Sequence, residues 1–247
     1  GDAGALDWIA QAEVAQIGDE IVVRGPTISW TLFGGVGPID AVIRTPQGAD
    51  AALRIGAGGI ETDGRLGHVI ANSGAGAVRV SDCDDADVKS GAGEIEVGAV
   101  AGSVEATTGA GRVKLGRVGG DARVKTGMGS VSLTGAAGEA RFTTGRGSIR
   151  VGEVGVAVDA HTASGDIDVG RAAHGSVRAR TVSGRVTVGV PRGVAALLDI
   201  STVHGRVSSD LQSGGPPAEG EARVQLTLST VSGAVTVAHV EPEPAHA

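Results

Sequence analysis

Phe142-Thr-Thr-Gly-Arg-Gly147-Ser-Ile-Arg-Val151 is followed eighteen residues later by Ala160-His-Thr-Ala-Ser-Gly165-Asp-Ile-Asp-Val169. At the same interval before it stands Val124-Lys-Thr-Gly-Met-Gly129-Ser-Val-Ser-Leu133. The shared phrase, Gly-x-(Val/Ile)-x-aliphatic, has its glycines at Gly58, Gly76, Gly93, Gly111, Gly129, Gly147, Gly165, Gly184, Gly205 and Gly233. Seven of the intervals are 17, 18 or 19 residues, and the last two stretch to 21 and 28. Eighteen residues cannot enclose a core of their own, whereas stacked copies can, which is the logic of a solenoid.

Working outward from each glycine, two stretches alternate with the period of a strand. After the glycine come Ile95 and Val97, Val113 and Leu115, Val131 and Leu133, Ile149 and Val151, Ile167 and Val169, Val186 and Val188. Before it, at seven, five and three residues, come triplets such as Val104, Ala106, Thr108; Ala122, Val124, Thr126; Ala140, Phe142, Thr144; Val158, Ala160, Thr162; and Val177, Ala179, Thr181. These positions are expected to point inward, and small residues such as Ala106, Ala160 and Ala179 suit a narrow interior. The expected fold is all-β, a β-solenoid of about ten coils with roughly 18 residues per coil. The glycines are read as corner residues, because a residue without Cβ accepts the backbone conformations of a sharp turn.

The second glycine at Gly74, Gly91, Gly109, Gly127 and Gly145 makes a Gly-x-Gly like half a dinucleotide fingerprint, but no helical pattern follows, so it reads as turn chemistry. Three residues after each repeat glycine the order Glu61, Arg79, Glu96, Lys114, Ser132, Arg150, Asp168 sets opposite charges on neighbouring rungs, which serves register and solubility. The column Ser73, Ser90, Thr108, Thr126, Thr144, Thr162, Thr181, Thr202, Thr230 has inward parity, so its hydroxyls are expected to serve backbone groups at the bends rather than an ice-binding face. Asp82, Asp84, Asp85 and Asp87 crowd one predicted turn and form the single candidate Ca²⁺ site, although the spacing matches neither an EF-hand nor the nonapeptide of calcium-binding β-rolls. His161, His174 and His204 show no metal-ligand spacing, and Ser164, Ser183 and Ser232 are equivalent turn residues rather than nucleophiles. No catalytic or cofactor-binding residue emerges, and the expectation is that the chain is not an enzyme.

Composition narrows the partners. The chain carries 21 basic and 28 acidic residues, a net charge of −7, so nonspecific attraction to nucleic acid is not expected. Aromatics are confined to Trp8, Trp30, Phe33 and Phe142, which leaves no platform for stacking bases or sugars. Cys83 stands alone, which excludes an intrachain disulfide and a thiolate metal cluster. No apolar run reaches the roughly 18 residues of a membrane span, and no signal-peptide pattern is present, which favours the cytoplasm over secretion. Another protein or self-association is therefore the expected partner, rather than nucleic acid or a small molecule.

The ends differ from the repeat. Residues 1–40 are read as an N-terminal cap, with Val14–Ile17 and Glu20–Arg24 forming a hairpin across Gly18-Asp19. Trp8, Trp30 and Phe33 in that segment are the interaction candidates. The solenoid is expected over 41–237, with a polar Gly/Pro-rich excursion at 211–222 between the last two coils, and a flexible tail over 238–247. Pro46-Gln-Gly48 and Pro191-Arg-Gly193 echo one another ahead of strand-like stretches.

Thr144-Gly-Arg-Gly147-Ser-Ile149, Thr162-Ala-Ser-Gly165-Asp-Ile167 and the closing Leu228-Ser-Thr-Val-Ser-Gly233-Ala-Val-Thr-Val237 together resemble the adhesin-type β-strand-repeat family, a domain of unknown function also called the toast-rack domain. The likeness covers roughly residues 39–237. It implies a single-stranded, right-handed β-helix-like fold and an association with bacterial envelope and envelope-stress systems, where such domains act as scaffolds or sensors. It carries over no catalytic residue. The leading functional expectation is a noncatalytic scaffold or interaction module. The alternatives are a self-assembling, filament-type structural element and an extracellular adhesin or polysaccharide-active β-helix.

Overall fold

Alternation of apolar and polar residues over short stretches, interrupted by glycine at fixed intervals, leaves the chain no means of burying itself except strand upon strand. The computed structural model describes residues 13–17, 20–24, 41–211 and 223–240, and every regular element among them is a β-strand. The chain divides into a unit spanning 1–45 and a larger unit spanning 46–247. In the first, β1 (Glu13–Ile17) and β2 (Glu20–Arg24) form the expected antiparallel hairpin, with Val14 opposite Val23. The capping role read for residues 1–40, and the aromatics Trp8, Trp30 and Phe33, lie outside the described residues.

The larger unit is a series of strand pairs. Its first four coils are β3 and β4 (Ala51–Ala57, Ile60–Glu61), β5 and β6 (Arg65–Ala75, Val78–Val80), β7 and β8 (Asp82–Ala92, Ile95–Val97), and β9 and β10 (Val104–Ala110, Val113–Val118). Then come β11 and β12 (Ala122–Met128, Val131–Ala136), β13 and β14 (Glu139–Arg146, Ile149–Glu153), β15 and β16 (Ala157–Ser164, Ile167–Arg171), and β17 and β18 (Gly175–Ser183, Val186–Pro191). The last two are β19 and β20 (Ala195–His204, Val207–Ser209) and β21 and β22 (Arg223–Ser232, Val235–Val240). The odd-numbered strands build one ten-stranded parallel sheet and the even-numbered strands another. The fold is a β-solenoid, as the repeat predicts.

The interior follows the sequence pattern. Val104, Ala106, Val113 and Leu115 are buried, as are their counterparts up the stack, and all join one continuous cluster. Phe142 is fully buried between Val124 and Ala160 on the neighbouring strands. A ring of that size fits because the next two rungs offer only Ala160 and Ala179 in its column. One inward column escaped the sequence reading. Cys83, Val100, Val118, Ala136, Val154 and Ala172 are also buried, where each short strand gives way to the next coil. Each lies seven residues after its repeat glycine, but one residue per coil shows no period-two alternation to mark it as inward.

The glycines and hydroxyls work as a pair. The repeat glycines from Gly58 to Gly184, with Gly233, hold φ between 137 and 155°. Ser73, Ser90, Thr108, Thr144, Thr162, Thr181 and Thr230 each donate to the carbonyl of a repeat glycine on the adjacent rung at 3.1–3.3 Å. Thr126 and Thr202 break the series, because their buried hydroxyls have no partner. Thr144→Val is therefore expected to cost about 1 kcal/mol, whereas Thr126→Val should be neutral or stabilising. Chemical denaturation of the two variants makes the comparison. Pro46 and Pro191 accept from Ala49 and Val194 in matching turns, each closed by a glycine with φ near 80° (Gly48 76°, Gly193 82°), which explains their echo.

The stack departs from chain order at one end. Eight coils, β3 to β18, follow one another, but β19 and β20 then skip a rung. The final pair fills the gap: β21 lies between β17 and β19, and β22 between β18 and β20. Completeness of the apolar set accounts for the choice. Val224, Leu226, Leu228, Val235 and Val237 are all buried, whereas the outer coil has Ser209 where the inner one has Val237. The better-filled coil gains most from being covered on both sides.

Candidate functional site

Outward residues of the long-strand sheet form the most distinctive surface. Strand alternation places Arg123 and Lys125 of β11, Arg141 of β13, Asp159 and His161 of β15, and Arg178 and Arg180 of β17 on the side opposite the core. Register then aligns them in two columns. Arg123, Arg141, Asp159 and Arg178 lie on successive strands, and beside them run Lys125, Thr143, His161 and Arg180.

Charge on this face is incompletely balanced. Asp121 holds Arg123 at 3.1 Å, and Asp159 lies 3.8 Å from Arg141 and 2.8 Å from His161 Nε2. Lys125, Arg178 and Arg180 are exposed, and among the described residues none has a carboxylate oxygen within 4.0 Å. A shallow groove of about 270 Å³ crosses the columns, lined by Arg141, Asp159, Ser176, Arg178, Gln225 and Thr227. A wider depression of about 950 Å³ lies on the same face at the other end of the stack, where Arg54, Asn72, Asp87, Lys89 and Thr107 surround glycine backbone. Both are lined by mixed polar groups without a concentrated set of acids or nucleophiles.

The acidic candidates stand on strand β7 rather than in a turn, and all four face outward while Cys83 and Ala86 between them are buried. Asp82 accepts from the Ala99 amide at 3.1 Å and Asp85 from the Ser103 amide at 2.8 Å. Asp84 meets Arg65 at 2.6 Å, and Asp87 meets Lys89 at 3.0 Å. The four carboxylates do not converge, and among the described residues no group of three or more His, Cys, Asp or Glu is placed to hold a metal ion. Asp82 and Asp85 act instead as rung-to-rung caps, a task shared by Asp50, Ser103, Asp121 and Asp166, which accept from the amides of His68, Asp121, Glu139 and Arg185. Sequence spacing conceals this, because each partner lies about one coil away.

The expected charge column on the short-strand sheet is present in register, from Glu61 through Arg79, Glu96 and Lys114 to Arg150 and Asp168. Ion pairs form at its first half, Arg79–Glu96 at 3.8 Å and Lys114–Glu96 at 3.9 Å, with Lys114 also 3.3 Å from Glu94. Such exposed pairs contribute roughly 0–1 kcal/mol each. Of the histidines, His161 belongs to β15, His174 sits exposed between β16 and β17, and His204 ends β19.

Cys83 is buried in the corner column, and burial, reinforced by the carboxylates of Asp85, Asp84 and Asp82, pushes its thiol up to about 11. Thiolate is the reactive form. Thiol-specific reagents at pH 8 should leave the native protein unmodified and label it only on unfolding. Between an ordinary value of 9.0 and about 11 the unfolded chain loses this proton while the folded one keeps it. Stability should thus be indifferent to Cys83 below pH 9 and fall as pH rises towards 11.

Comparison with curated proteins and with solved structures returns no match. Among the described residues no helix is long and apolar enough to cross a membrane. The Toastrack DUF4097 family model, a domain of unknown function, matches residues 53–238, from the second inward residue of β3 nearly to the end of β22. With three quarters of its length matched and nearly the whole stack inside that match, the chain belongs to the Toastrack DUF4097 family.

Proposed function

We propose that this chain is a noncatalytic scaffold that presents the long-strand sheet to an acidic surface of another protein. The observation that supports the reading is the group Lys125, Arg178 and Arg180, exposed cations without ion-pair partners among the described residues, on a chain whose net charge is −7. A rigid parallel sheet holds such charges at fixed rung spacings, about 4.8 Å apart from strand to strand. Complementary charge fixes register and speeds encounter more than it adds affinity. An envelope setting, implied by the family resemblance, belongs to the same proposal, with the scaffold reporting or organising partner proteins there.

The triple variant Lys125→Glu/Arg178→Glu/Arg180→Glu tests it. These side chains point outward, so circular dichroism and melting should match the unaltered protein. Capture of partners from the native cell should fall at least tenfold, and the loss should be mimicked by raising salt, because exposed charges are screened. An unchanged set of captured proteins would refute the basic-face reading.

A further inference from the structure

From the order of strands we infer that β21 and β22 form an exchangeable coil, and that the slot they fill accepts the same coil from a second copy of this chain. The inference rests on topology and is independent of the basic-face proposal. Removing β21 from between β17 and β19 would leave those strands two sheet spacings apart, roughly 9.6 Å. That gap is one strand wide and bordered by backbone groups on both sides. The incoming coil satisfies both borders. Gly184 and Val186 donate to Ser232 and Ala234 at 3.1 and 2.9 Å, and Gly233 and Val235 donate to His204 and Arg206 at the same two distances. Thr230 donates to the Gly184 carbonyl at 3.2 Å, and Leu226 and Leu228 are buried in the core.

Two features make a copy's coil equivalent to the chain's own. The link between β20 and β21 spans residues 210–222 and includes Ser213-Gly-Gly-Pro-Pro217, a length that does not confine the coil to its own chain. The coil is also the last in chain order, so it joins the stack after the other described strands have been made. A second copy offers identical residues in identical register, and exchange of an identical element is a low-cost route to a dimer. The tether sets the competition. An effective concentration in the millimolar range favours the chain's own coil at high dilution, and exchange gains ground as protein concentration approaches that range. Once seated, the coil is bonded on both sides, so exchange belongs to folding rather than to the native state. The product is a reciprocal pair of solenoids.

Cross-linking in the full chain tests this. Ser176 and Gln225 are register partners on β17 and β21 with outward-facing side chains. Cysteines there fall within disulfide reach, since paired strands lie about 4.8 Å apart. All variants carry Cys83→Ala, which the corner column accommodates because Ala136 and Ala172 already occupy it. One population carries Ser176→Cys, the other Gln225→Cys, and the two are unfolded together and refolded over a concentration series. The expected result is a cross-linked dimer whose yield rises with concentration. It should exceed at least tenfold that of a mixture of Ser176→Cys with Ser229→Cys, four residues out of register. A chain carrying both Ser176→Cys and Gln225→Cys should close on itself at low concentration. Cross-linking no better than the out-of-register mixture would overturn the exchange, and failure of the double variant to close would overturn the strand order itself.

Discussion

Val131→Asp should prevent the solenoid from folding or cost it about 3–5 kcal/mol, while Ser132→Asp, one residue on, should change stability by less than about 0.5 kcal/mol. Val131 is 1 % exposed on β12, flanked by Val113 and Ile149 on the neighbouring strands. A carboxylate there would lie between two apolar rungs with no donor to receive it. Protonation would spare the full charge penalty but still leave a buried polar group without partners. Ser132 points outward between Lys114 and Arg150, so an aspartate there would gain two cationic neighbours. Urea denaturation of both variants decides the matter, and equal losses would show that the inward assignment of β12 is wrong.

Gly129→Ala should cost at least ~3 kcal/mol, against about 1 kcal/mol for Gly193→Ala. Both glycines have positive φ, 151° and 82°, so both substitutions strain the backbone. They differ in their surroundings. A Cβ on Gly129 would overlap the carbonyl of Gly111 on the rung below, and that oxygen belongs to rigid backbone. A Cβ on Gly193 would meet nothing within 4 Å. Relief at Gly129 would require neighbouring rungs to separate at the corner, breaking the bond by which the Met128 carbonyl accepts from Gly111 at 2.8 Å. Comparable melting temperatures for the two variants would rule out close rung packing as the reason for the glycine column.

The corner glycines, the inward Val and Ile pairs and the inward hydroxyl column were legible because each recurs at a fixed distance from Gly-x-(Val/Ile). Recurrence turns a weak local preference into a pattern, as for Thr108, Thr144 and Thr162. The corner column of Cys83, Val100 and Val118 recurs as regularly, seven residues after its glycine, but one residue per coil shows no period-two alternation to say that it points inward. Asp82 and Asp85 misled for a related reason. Clustered acids in sequence suggest a common ligand, but although they all face outward, Asp82 and Asp85 are each engaged by a backbone amide of the adjacent coil. The outward column of Lys125, Thr143, His161 and Arg180 follows from the same period, but which of its cations meet a carboxylate does not, because that depends on side-chain placement.

By itself the sequence determined that this chain is a β-solenoid, where its coils turn, which residues fill them and which family it belongs to. Those properties repeat every coil and depend on interactions within a coil or between any two adjacent coils. Tertiary structure alone decided which coils are adjacent. β19 carries the same phrase as β21 and could pair with β17 equally well as far as the pattern goes. The choice fell to the coil with the complete apolar set, because inner rungs are covered on both sides and outer rungs on one. Stacking order, and with it the slot for β21 and β22, is a property of the assembled sheets.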